Sequence, residues 1–135
     1  MASFVDTNVV VYAFDAGAGA KREIAQRVLA DVDTELVLSA QVLAEFYWVV
    51  TRRLSPPLTH RDAADAVNAL ARLRVVPTDA GLVRSALVTV HAYRLALWDA
   101  LIIEAARVGG CEALLTEDLN GGQVINGVEV VNPFA

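Results

Sequence analysis

Apolar positions along the chain follow two alternating rhythms, short β-branched runs and longer stretches with helical spacing. Phe4-Val5 reads as the end of a first strand, and the short apolar stretch Val9 to Phe14 follows it. From about Ala20 to Val32 the residues Ile24, Val28 and Leu29 recur on one helix face. Glu35-Leu36-Val37-Leu38 predicts a second strand, after which Ser39 offers an N-cap for a helix reaching about Arg53. Thr59-His60-Arg61-Asp62 has capping-box spacing, with aspartate in place of glutamate, ahead of a helix that ends near Leu73. Arg74-Val75-Val76-Pro77 predicts a third strand. Thr78 or Asp79 then caps a helix to about Tyr93, and a last helix runs from near Trp98 to Val108, where Gly109-Gly110 stops it. Ala113-Leu114-Leu115 and Val128 to Val131 complete the strand set.

Strands separated by helices imply βαβ crossovers. The pattern therefore predicts an α/β/α sandwich with a mainly parallel central sheet of about five short strands. No internal repeat is visible, and Ser55-Pro56-Pro57-Leu58 is the only proline-rich joint. A length of 135 residues suits one domain spanning residues 1–135. With 56% hydrophobic and 20% charged residues, the composition excludes disorder. The net charge of −5 argues against gripping duplex DNA by phosphate neutralisation alone. The opening Met1-Ala2-Ser3-Phe4-Val5-Asp6 lacks a basic segment followed by an apolar one, and no apolar run approaches the eighteen or so residues of a membrane span. A cytoplasmic protein without membrane association is expected. Cys111 is the lone cysteine, which excludes an internal disulfide and a thiolate zinc site and reads as a buried thiol.

Four acids stand out against this pattern. In an open parallel sheet, ligands bind beyond the carboxyl ends of the strands. Asp6 follows Phe4-Val5 directly, and Asp118 comes shortly after Ala113-Leu114-Leu115. Capping or turn formation is the ordinary explanation for either one alone. Glu45, set among Val42, Phe46 and Val49, is expected on the buried face of its helix unless its side chain reaches to the surface. Asp99 has Ile102 and Ile103 on its own side, although an acid in a first helical turn also complements the helix dipole. Two carboxylates about 5 Å apart repel by roughly 3 kcal/mol at an effective dielectric near 20, so convergence of all four calls for a cation. Hard divalent ions, Mg²⁺ or Mn²⁺, suit an all-oxygen donor set, and such sites serve phosphoryl-oxygen displacement.

The stretch Asp6-Thr7-Asn8-Val9-Val10-Val11-Tyr12-Ala13-Phe14-Asp15 resembles the opening of PIN-domain nucleases, especially the VapC-type toxins of bacterial toxin–antitoxin pairs. Val42-Leu43-Ala44-Glu45-Phe46, Trp98-Asp99-Ala100-Leu101-Ile102 and Leu114-Leu115-Thr116-Glu117-Asp118-Leu119 resemble the family's remaining motifs in order, and Ile125 to Phe134 resembles its tail. The resemblance implies an Mg²⁺- or Mn²⁺-dependent endoribonuclease acting on single-stranded or loop RNA and leaving a 5′-phosphate. It also implies a homodimer silenced by a cognate antitoxin protein. Carried over by position, Asp6, Glu45, Asp99 and Asp118 would be catalytic and hold metal directly or through water. Asn8 and Thr116 would orient these groups, or act only as cap and turn residues. Glu117 competes with Asp118 for the fourth place, and the motif favours Asp118.

Arg52-Arg53, at the end of the Glu45 helix, are candidate RNA phosphate contacts, or simply cations favoured at a helix C-terminus. Lys21-Arg22 and Arg27 are weaker candidates. Asp15 reads as a solvated loop acid, and His60 and His91 as structural residues. The abundance of alanine, valine and leucine suggests a surface buried by a twin subunit or an antitoxin segment. Three alternatives remain: a housekeeping RNA-processing nuclease of the same fold without an antitoxin, a non-catalytic binding module, and a phosphoacceptor or phosphotransferase domain. Against the last, position 8 is Asn8 rather than aspartate and the only lysine is the early Lys21.

Overall fold

The computed structural model describes residues 1–135. The chain begins with β1 (Ala2–Val5), α1 (Thr7–Phe14), α2 (Ala20–Ala30), β2 (Glu35–Ser39), α3 (Ala40–Arg52) and α4 (His60–Leu70). It continues through β3 (Arg74–Val76), α5 (Ala80–Tyr93), α6 (Leu97–Val108), β4 (Ala113–Leu115), β5 (Val124–Ile125) and β6 (Val128–Val131). The strands form one six-stranded sheet in the order β3-β2-β1-β4-β6-β5. All pairings are parallel except β5 with β6. No single helix is long and apolar enough to cross a membrane.

Local chemistry explains the boundaries. The side chains of Ser39, Thr59 and Asp79 accept from the backbone N–H of Val42, Asp62 and Leu82, capping α3, α4 and α5. Thr78, the other candidate cap of α5, instead accepts from the backbone N–H of Gln41. The sheet has six strands rather than about five, because Val124–Ile125 pairs with Val128–Val131 across the two-residue turn Asn126-Gly127. Both turn residues have positive φ, 50° and 81°, as a type I′ hairpin requires.

Phe4, Val5, Val37, Leu38 and Leu114 are fully buried, as expected of parallel strands covered on both faces. Residues Ala100 to Ala106 of α6 are buried on every side, and this helix packs against β2, β4 and β6. It ends at Gly109, where a Cβ would lie 3.1 Å from Val37 Cγ1 and 3.3 Å from Val76 Cγ2, and the chain turns away through Gly110 at φ 72°. Helix α1 packs against α2 and α3. Cys111 is buried, and burial pushes its thiol up to about 11.

The chain builds β1, β2 and β3 in one direction, then crosses back to place β4 on the other side of β1. That reversal makes the carboxyl ends of β1 and β4 the topological switch point, where an open α/β sheet leaves a crevice. Asp6 and Thr116 are the first residues beyond those two ends, after the register pair Val5 and Leu115.

Candidate functional site

Asp6 is buried where β1 turns into α1, and as N-cap it accepts from Thr7 N–H at Oδ1 (2.7 Å). Its other oxygen accepts from the hydroxyl of Thr116 at 2.9 Å. Asn8, in the first turn of α1, donates from Nδ2 to Thr116 Oγ1 (3.1 Å) and to Asp118 Oδ2 (2.9 Å). The Asp118 N–H also donates to Thr116 Oγ1, at 3.1 Å. Because the Thr116 proton is committed to Asp6, Asn8 must present its amide NH₂ here, which leaves Asn8 Oδ1 buried without a donor. Asn8 and Thr116 are thus neither a bare cap nor a bare turn residue. Together they link Asp6 to Asp118.

Glu45 and Asp99 face this group from α3 and α6. Both Glu45 and Asp118 raise the Asp6 carboxyl electrostatically, and Asp118 does the same to Asp99. The larger cause is burial, which brings Asp6 up from 3.8 to about 6 against the opposing hydrogen bonds of Thr116 and Thr7. Asp99, half-buried in the first turn of α6, is also raised, chiefly by burial. The helix dipole alone would have favoured its anion.

One expectation fails in its reason. Glu45 is exposed, because Val42, Phe46 and Val50 carry the buried stripe of α3 and Glu45 stands beside it. Gln41, one turn earlier, donates from Nε2 to Glu45 Oε1 at 2.7 Å and to the Trp98 carbonyl at 3.4 Å. Gln41 thereby ties Glu45 to the start of α6, a role that sequence spacing did not reveal. Asp118 is exposed as well, so solvent carries much of the repulsion that a fully buried cluster would suffer. No three acidic, histidine or cysteine side chains are gathered closely enough to hold an ion as they stand.

Glu117 points elsewhere. It accepts from Lys21 Nζ at 2.8 Å and from the Tyr12 hydroxyl. Burial would raise its carboxyl, but these two bonds win and hold it below its ordinary value. Lys21 lies 5.0 Å from the centre of the Tyr12 ring and is committed to this cluster rather than free for phosphate. Arg52 and Arg53 end α3 exposed and without an ion-pair partner. Asp15 closes a turn by accepting from Gly17 N–H, and His60 bonds the Tyr47 hydroxyl through Nδ1 at 2.8 Å.

A sequence model of the family described as PIN domain matches residues 3–123. The chain belongs to the PIN-domain family. Its β1–α1 acid, its α3 and α6 acids and the loop after β4 all lie within the matched stretch of this PIN domain. Among solved structures it is similar to the Mycobacterium tuberculosis VapC20, a sarcin-ricin-loop-cleaving toxin, with 25% identity and a TM-score of 0.70 over 86% of this chain and 89% of that one. A toxin–antitoxin complex from Klebsiella pneumoniae matches with 21% identity and a TM-score of 0.73 over 97% of each chain. FitAcB from Neisseria gonorrhoeae matches with 19% identity and a TM-score of 0.62 over 98% of each chain. At those last two identities the likeness is one of fold. Among curated proteins, none matches this chain.

Proposed function

We propose that this PIN domain is a metal-dependent endoribonuclease and the toxin of a toxin–antitoxin pair. The observation that carries the reading is the linked group Asp6, Thr116, Asn8 and Asp118 at the switch point, faced by Glu45 and Asp99. The donor set suits Mg²⁺ or Mn²⁺. It is all oxygen, it includes a buried carboxyl raised by lack of solvation, and it holds an amide oxygen without a partner. Mg²⁺ commonly uses one or two carboxylates, its own waters and substrate phosphate, so three pre-gathered acids are not required.

Asp6, Asp118, Glu45 and Asp99 would hold the ion directly or through water. A bound divalent ion supplies charge neutralisation at the phosphate and a more acidic water. Thr116 and Asn8 fix the carboxylates of Asp6 and Asp118, so little reorganisation is needed when substrate arrives. The exposed carboxylates, Glu45 and Asp118, can take up the proton released as water adds to phosphorus and the bond to the 3′ oxygen breaks. The leaving oxygen then gains a proton and the product keeps a 5′-phosphate.

The VapC20 relationship and the toxin–antitoxin complex support a toxin over a housekeeping nuclease. Exposed Leu87 and Val88 on α5 offer apolar surface for a second subunit or a cognate antitoxin. Incubation of the purified protein with total RNA, with Mg²⁺ or Mn²⁺ and with chelator, followed by sequencing of new ends, tests the activity. Cleavage confined to the metal-containing samples is expected, and its absence would overturn the reading. A short neighbouring gene for a DNA-binding antitoxin separates the toxin from the housekeeping enzyme.

A further inference from the structure

The chain has two tryptophans, and both stand open beside the acids. Trp48 on α3 is 46% exposed, and Trp98 at the start of α6 is 65% exposed. With Gln41, Ala44, Glu45 and Thr78 they line a cleft of about 950 Å³. Glu45 therefore belongs to both the cleft wall and the candidate site, and Trp98 directly precedes Asp99. Indoles left exposed on one cleft are surface kept for contact with something else.

The surrounding charge says what that is. The guanidinium carbons of Arg52 and Arg53 lie 5.4 and 5.0 Å from the centre of the Trp48 ring, and neither arginine has a carboxylate partner. A cleft lined by two exposed indoles, with two cations that lack a carboxylate partner beside one of them, fits a flat base followed by phosphates. An apolar peptide side chain would fill the space but leave the guanidinium pair unused. A second copy of this cleft would bring like charges against it.

We propose that this cleft is a subsite for an unpaired nucleobase flanking the scissile phosphodiester. The base packs against Trp48 and Trp98, and Arg52 and Arg53 take phosphates of the continuing strand. The assignment rests on the nuclease reading above. Within the cleft, Gln41 Nε2 donates to Glu45 and to the Trp98 carbonyl, and Thr78 Oγ1 accepts from the Gln41 N–H. Stacking on an exposed indole is open to every base once it is unpaired, so the subsite selects single strands over duplexes more than one base over another.

Because both tryptophans line the cleft, intrinsic fluorescence reports on it directly. Titration of the full chain in chelator with a short single-stranded RNA is expected to quench that emission, and the same sequence as a duplex to do so only at much higher concentration. Trp48→Ala and Trp98→Ala, verified as folded by circular dichroism, are each expected to weaken binding about fivefold to a hundredfold, with phenylalanine at either position recovering most of it. With Mn²⁺ present, the alanine variants should raise KM by a similar factor and leave kcat nearly unchanged. Cleavage with unchanged KM in both variants would overturn the subsite while leaving the nuclease reading intact. Loss of self-association or antitoxin binding at unchanged KM would do the same and assign the cleft to a protein contact. Quenching by single-stranded RNA without cleavage under any metal would support base binding in the cleft but sink the nuclease reading, and with it the place of the subsite beside a scissile phosphate. No quenching by any RNA overturns the subsite outright.

Discussion

The Thr116 hydroxyl donates to Asp6 Oδ2 at 2.9 Å, tying the carboxyl end of β4 to that of β1 across the switch point of the sheet. Thr116 Oγ1 in turn accepts from Asn8 Nδ2 and from the Asp118 N–H, both at 3.1 Å, and Thr116 is fully buried. Thr116→Val keeps the shape and removes all three bonds. It is expected to cost about 1–3 kcal/mol of stability, because partners are left unpaired. Metal affinity or cleavage should fall by about tenfold to a hundredfold. Thr116→Ser should retain both. Urea unfolding without metal and a Mn²⁺ titration of cleavage measure the two effects, and a valine variant equal to the parent in both would contradict the linking role.

Glu117 and Asp118 are expected to separate in function as they do in space. Asp118→Asn removes the carboxylate that faces Asn8, Asp6 and Asp99, so cleavage should fall by about a hundredfold or more. Glu117→Gln loosens the cluster with Lys21 and Tyr12 and should lower thermal stability slightly while leaving the cleavage rate unchanged. Parallel assays of the two variants decide between the acids. A Glu117→Gln protein that is stable but inactive would reverse the assignment.

The reasons why one acid of that pair was hard to choose from sequence are general. Adjacent residues share every spacing argument, and Glu117 is drawn aside by Lys21, a partner 96 positions away. Asp6 was legible because the end of a first parallel strand is a position that topology alone marks. Helical spacing predicts Glu45 on the buried stripe of α3, whereas it sits beside that stripe in the open. The fold itself was readable from strand–helix alternation, with one strand missed. Val124–Ile125 is too short to show a period, although Asn126-Gly127 is a strong hairpin dipeptide. The Trp48–Trp98 cleft was illegible because it joins two helices whose approach only the packing defines.

Asp6 should make the metal-free protein less stable as the pH rises. Asp6 ionises near 3.8 ordinarily and near 6 when folded, because burial disfavours the anion. Between those values the folded state holds a proton that the unfolded chain releases. The stability Asp6 contributes is therefore fully present below about pH 4 and is lost as the pH rises through 6. The interval corresponds to about 3 kcal/mol. Asp6→Asn should flatten this part of the profile, and Mn²⁺ should restore parental stability above pH 6. Urea midpoints measured from pH 4 to 8 with and without the ion test this, and a parent and variant with the same slope would exclude Asp6 as its source.

Asp99 offers the sharpest separation of stability from activity. Its carboxyl is raised by burial first and by Asp118 second, so ionising it costs free energy that no cation in the protein offsets. Asparagine keeps the size and a polar end for the first turn of α6 while removing the charge. Without metal, Asp99→Asn should therefore melt at the same temperature as the parent or higher. Its metal-dependent RNA cleavage should nevertheless fall by about a hundredfold or more. Thermal melts in chelator beside cleavage assays in Mg²⁺ provide both readings. Undiminished cleavage would remove Asp99 from the site, and a marked loss of stability would show that its carboxylate serves the fold instead.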